Sequence, residues 1–130
     1  MAPNKILLFS ADESMTKVLT SSLRGAGYKV IHASSGIDAL DSIHSEVPAL
    51  VILDIKLPGM NSLSIIRTLR SEESDGRTPV ILMGAEMREE DVLIGLEVGA
   101  DLCLLETFHP QVFVARVRSL VRRTEPHKVF

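Results

Sequence analysis

The stretch PALVILDIKLPGMNSLSIIRTLR, Pro48 to Arg70, decides the fold. Leu50-Val51-Ile52-Leu53 is an unbroken apolar run ending in one carboxylate, Asp54; a Lys56-Leu57-Pro58-Gly59-Met60 turn and an amphipathic segment follow. A run without polar alternation reads as a strand covered on both faces, the situation inside a parallel sheet. Such a strand delivers its last side chain to the carboxyl edge of the sheet, where open α/β folds place their ligands. Asp54 is therefore presented at a candidate site.

The same alternation continues outward in both directions. Lys5 to Phe9 reads as a short buried strand, and Met15 to Arg24 as a helix with Met15, Val18, Leu19 and Leu23 as its apolar positions, closed by Gly25 and Gly27. Tyr28 to Ala33 suits a half-covered second strand, and Gly36 to His44 carries Ile37, Leu40 and Ile43 at helical spacing. Asn61 or Ser62 can cap the helix that runs to about Leu69. Pro79 to Met83 is the fourth strand and Arg88 to Val98 the fourth helix, ending at Gly99. Leu102 to Leu105 is the fifth strand, and Pro110, suited to a first turn, opens a last helix through Arg122. Strands alternating with helices imply right-handed crossovers and helices on both faces of a sheet. The expected architecture is α/β: a flavodoxin-like, doubly wound (βα)5 three-layer sandwich with a five-stranded parallel sheet.

At 130 residues and 45% hydrophobic content the chain suits one domain with one sizeable core. A formal charge of -3 gives no bulk positive field, so direct nucleic-acid binding by this chain is not expected. Cys103 is the single cysteine and cannot form an internal disulfide. No apolar stretch approaches the ~20 residues of a membrane span, and no signal-peptide pattern opens the chain; a cytoplasmic protein without membrane contact is expected. A flavin- or nucleotide-binding domain shares the fold but cradles phosphate in a Gly- or Ser/Thr-rich turn. The first such turn here, Ser10-Ala11-Asp12-Glu13, carries two carboxylates that repel phosphate.

The Asp54 segment resembles the phosphoacceptor strand of bacterial response-regulator receiver domains. The resemblance extends through Gly27-Tyr28-Lys29-Val30, Thr78-Pro79-Val80-Ile81-Leu82, Gly95 to Asp101, and Ala115-Arg116-Val117-Arg118. It implies a receiver over residues 1–124 and a tail, 125–130, that could begin a linker to an absent output domain. It also implies that Asp54 is the candidate acceptor of a phosphoryl group from a histidine kinase, in a two-component phosphorelay.

The resemblance breaks at the chemistry. Receivers end their first strand with two acids that hold Mg2+; aligned without gaps, those positions are Ser10 and Ala11, with Asp12 third. A two-residue shift would instead make Asp12-Glu13 the pair, at the expense of the first helix's leucine spacing. Weak metal candidates are Asp12, Asp54 and the carbonyl of Lys56, too little charge to dehydrate Mg2+. The hydroxyl residue ending the fourth strand is Gly84, the aromatic of the fifth strand is Cys103, the lysine ending that strand is Glu106, and the next proline is Thr107. Two unit charges about 4 Å apart interact by about 4 kcal/mol at an effective dielectric near 20, so inverting the lysine opposes phosphorylation by several kcal/mol. Lys56 could swing across to offset the Asp54 and Glu106 charges.

Each residue also has an ordinary structural role to weigh. Asp54 can be a strand-end carboxylate, Cys103 a small core side chain, and Asp12 and Glu13 the favourable acids of a helix N-terminus. His32, His44, His109 and His127 lack metal-ligand spacing. In receivers the fourth helix, fifth strand and fifth helix commonly meet partners. Here Glu90 and Asp91 complement Arg116 and Arg118 in charge, suiting a two-fold contact or a partner domain, although Leu102 stands where such dimers commonly have an acid. The reading is an atypical, degenerate pseudo-receiver: not an enzyme, without cofactor, acting as a phosphorylation-independent interaction module. The alternative is a Mg2+-dependent receiver phosphorylated on Asp54.

Overall fold

The structure is a computed structural model that describes residues 4–72, 77–105 and 109–124. Among them five strands alternate with five helices: β1 Lys5–Phe9, α1 Glu13–Gly25, β2 Lys29–Ala33, α2 Ala39–Glu46, β3 Leu50–Asp54, α3 Ser62–Glu72, β4 Val80–Gly84, α4 Glu89–Val98, β5 Leu102–Leu105 and α5 Pro110–Thr124. The strands form one parallel sheet in the order β2-β1-β3-β4-β5. The chain thus has the expected (βα)5 sandwich.

The two-residue period of the strands sorts their side chains between two cores. Leu7, Phe9, Val51, Leu53, Val80 and Leu82 pack with Ile43 of α2, Ile65, Ile66 and Leu69 of α3, and Val92 of α4. Their neighbours Ile6, Leu8, Leu50, Ile52, Ile81 and Met83 face Leu19 and Leu23 of α1 and Phe113, Val117, Leu120 and Val121 of α5. Burying one such side chain contributes about 1.5–3 kcal/mol, which is why β3 needs apolar residues at every position until Asp54.

Helix α2 departs from the sequence reading. It starts at Ala39, three residues later than Gly36, because Gly36 donates its N–H to Pro58 O (2.7 Å) and Asp38 adopts a left-handed conformation at φ 66°. Ile37, expected on the buried side of that helix, is exposed. Away from the carboxyl edge, Arg70 binds Gly99 O, Thr78 O and Asp101 Oδ2, tying α3 to the approaches of β4 and β5.

Candidate functional site

β1 ends at Phe9, so fully buried Ser10 occupies the first position past the strand. Its N–H donates to Ala33 O (3.0 Å), its carbonyl accepts from His32 Nε2 (2.7 Å), and its Oγ accepts from Asp12 N (3.3 Å). Asp12 caps α1, with Oδ1 accepting from Met15 N at 2.9 Å, and Glu13 is the first helical residue. This is the gapless alignment. The shifted one, with Asp12-Glu13 at the strand end, is corrected: those acids serve the helix, whose exposed N–H groups draw a carboxylate oxygen.

Asp54 ends β3 and is half-buried beside Met83 of β4. Its Oδ1 accepts from Lys56 N at 2.9 Å, while its carbonyl accepts from Leu57 N (3.2 Å) and from the hydroxyl of Ser62. Ser62, fully buried, was read only as a possible cap; Asn61 takes that role, its Oδ1 accepting from Leu63 and Ser64 N–H. Lys56 turns to Glu86, Nζ to Oε2 2.9 Å. That contact raises the Lys56 pKa and lowers that of Glu86, and the Asp54 charge adds a smaller upward push on Lys56.

Gly84 ends β4 and is buried. A Cβ there would overlap Ile55 Cγ2 and lie 3.0 Å from Met87 Cγ, so the place of a side chain is already filled by two apolar neighbours. Cys103 sits across from Leu82 on β5, its Sγ 3.9 Å from Val92 O, and burial raises its thiol pKa. Gly95 permits this packing: a Cβ would lie 2.7 Å from Leu82 Cδ2 and 3.2 Å from Cys103 Sγ. Glu106, Thr107, His127 and the tail 125–130 lie outside the described residues.

The donor chemistry at this edge suits Mg2+ poorly. Asp54 supplies one carboxylate with an oxygen already bonded to Lys56 N, the Ser10 hydroxyl is buried and bonded, and Asp12 caps a helix. Mg2+ asks for a near-octahedral shell of hard oxygens. Among the described residues, no cluster of three or more His, Cys, Asp or Glu could hold a metal ion.

The charged face is only partly assembled. Glu90, Arg116 and Arg118 are exposed, but Asp91 is half-buried and its Oδ2 accepts from Arg88 N at 2.9 Å. Arg116 and Arg118, two residues apart, point about 200° apart on a helix. Arg118 lines a recess of about 350 Å³ with Ser22, Gly25 and Ala26 of the α1 end. Sequence reading missed the apolar component: Leu93, Ile94 and Leu96 of α4 and Leu105 of β5 are 61%, 44%, 47% and 50% exposed. The signal was present in α4, where Leu93, Ile94 and Leu96 fall within one arc of about 160° and cannot all join Val92 and Gly95 against the sheet.

The family model of the response regulator receiver domain matches residues 6–118. The chain belongs to this family. The receiver is 39% identical over 121 residues to the DNA-binding response regulator MtrA of Mycolicibacterium smegmatis, covering 93% of this chain and 52% of the relative. It is 36% identical to the alkaline phosphatase synthesis transcriptional regulatory protein PhoP of Bacillus subtilis, over 93% of this chain and 50% of that protein. The chain thus spans about half the length of the curated relatives it matches. The BeF3-activated N-terminal receiver domain of Klebsiella pneumoniae RstA superposes with a TM-score of 0.84 at 30% identity, covering 92% of this chain and 99% of that one. No helix among the described residues is long and apolar enough to cross a membrane.

Proposed function

We propose that this receiver is a phosphorylation-independent interaction module of a cytoplasmic regulatory protein: a pseudo-receiver, not an enzyme, needing no metal. The observation that carries this reading is the filled space at Gly84. Where the receiver pattern has a hydroxyl to meet a phosphoryl oxygen, Ile55 and Met87 occupy the volume. Ser10 and Ala11 at the acid positions remove the charge that would hold Mg2+.

Its contact face is α4-β5-α5. Leu93, Leu96 and Leu105 supply apolar area; Glu90 and Arg116 supply complementary charge that sets partner and orientation more than affinity. A second copy or an output domain suits that face, the latter in keeping with relatives about twice as long. Neither nucleic acid nor membrane is a partner of this domain by itself. Pull-down of the parent protein's partner, normalised for folded protein by circular dichroism, tests the reading. Asp54→Asn is expected to retain binding, whereas Leu93→Glu with Arg116→Glu abolishes it; the opposite pattern refutes it.

A second reading, a Mg2+-dependent phosphoacceptor, is favoured by Asp54 itself, half-buried at the carboxyl edge, and by similarity to a receiver described as BeF3-activated. Phosphate incorporated at Asp54 from acetyl phosphate would establish it.

A further inference from the structure

We infer that the two loops beside Asp54 are held together by a clasp built on Gly84: the Ile55 side chain seats against the bare Gly84 main chain under Met87, and the Lys56–Glu86 ion pair closes over it. The backbone begins the arrangement. Ile55 N donates to Met83 O at 2.8 Å, extending the β3–β4 ladder one residue past Asp54 and bringing Ile55 alongside Gly84. Only glycine at 84 leaves room for the Ile55 methyl, and Met87, 8% exposed, covers the seat from the α4 side. Ile55 is β-branched and stiff about χ1, so it does not rotate away at small cost when a Cβ is added. The next residue, Lys56, reaches Glu86 at 2.9 Å, joining the same two loops at the exposed surface.

The clasp gives Gly84 a positive role. The missing hydroxyl and the seat for Ile55 both follow from the one glycine, and the loop between β4 and α4 needs no phosphoryl group to define its position. This extends the reading of the receiver as a module that works without phosphorylation, but its test reads loop packing and not partner binding, so the two can fail separately.

A double-mutant cycle on Gly84→Ala and Ile55→Ala, measured by urea denaturation, tests the clasp. Overpacking at a rigid site is destabilising, so Gly84→Ala should lower the folding equilibrium constant about tenfold in the native chain. In the Ile55→Ala background the same change should cost less than about threefold, because the methyl it meets is gone. If Gly84→Ala alone does not fold, the double variant should fold. Hydrogen–deuterium exchange of residues 84–88 should also accelerate several-fold in Ile55→Ala. Equal costs in both backgrounds, failure of the double variant to fold, or unchanged exchange would overturn the clasp.

Discussion

The Ser62 hydroxyl donates to the main-chain carbonyl of Asp54, so a fully buried side chain at the start of α3 fixes the backbone of the candidate acceptor. Leu57 N, at 3.2 Å, is the second donor to that oxygen. Ser62→Ala should cost about 0.5–1.5 kcal/mol in urea denaturation, the usual net worth of an internal hydrogen bond. It should also shift the Asp54 carbonyl carbon resonance; an unmoved resonance would mean that the bond does not persist in solution.

Arg70 is the anchor on the other side of the molecule. Its guanidinium meets Gly99 O, Thr78 O and Asp101 Oδ2, and both it and Asp101 are mostly covered, at 14% and 16% side-chain exposure. Arg77 also reaches Asp101 Oδ1 at 3.3 Å, so Asp101 keeps a partner when Arg70 is removed. Arg70→Ala is expected to cost about 2–4 kcal/mol, toward the low side of breaking a buried pair. Arg70→Lys should recover little, since a single ammonium cannot span three acceptors as the planar fork does. Thermal denaturation of both variants checks this; full rescue by lysine would contradict the fork geometry.

Much of this arrangement was legible in sequence for a simple reason. Apolar runs in a parallel sheet are continuous, and strand ends follow from where they stop, so Asp54, Ser10 and Gly84 fell where they were read. What escaped depends on contacts between distant segments. Lys56 finds Glu86 across two loops, Ser62 turns inward onto Asp54, and the late start of α2 follows from Gly36 binding Pro58 O. Arg118 and Asp91 were counted as face charges by residue type alone; helix geometry and a backbone N–H redirect them.

Val47 illustrates a local cost that sequence pattern hides. It ends α2 in the left-handed region at φ 46°, where a β-branched residue is strained, and it is 71% exposed, so it gains little from burial. Val47→Asn should stabilise the chain by about 1 kcal/mol, raising Tm by a few degrees. An unchanged or lowered Tm would show that the strain is absent.

The Lys56–Glu86 pair makes loop protection depend on pH at both extremes. Glu86 has a lowered pKa, so its contribution is present above the ordinary value of 4.5 and is lost as pH falls through the lower folded value. Lys56 has a raised pKa, so its contribution is full below the ordinary 10.5 and is lost as pH rises through the higher folded value. Both side chains are largely exposed, and salt should weaken the pair. The exchange protection of residues 84–88 should therefore be flat between those limits and fall beyond each. In Glu86→Gln the acid-side fall should be absent; its persistence would assign it to another group.

With Ser10 and Ala11 at the acid positions and Ile55 filling the space at Gly84, the Asp54 edge is expected not to perform phosphoryl chemistry. The decisive experiment is a titration with Mg2+ and beryllofluoride, followed through the backbone amide resonances of residues 54–57 and 84–87. No adduct and no Mg2+ binding tighter than roughly millimolar are expected, since one carboxylate and a buried serine cannot replace an acid pair. Saturable shifts at micromolar Mg2+, or a beryllofluoride adduct on Asp54, would contradict it.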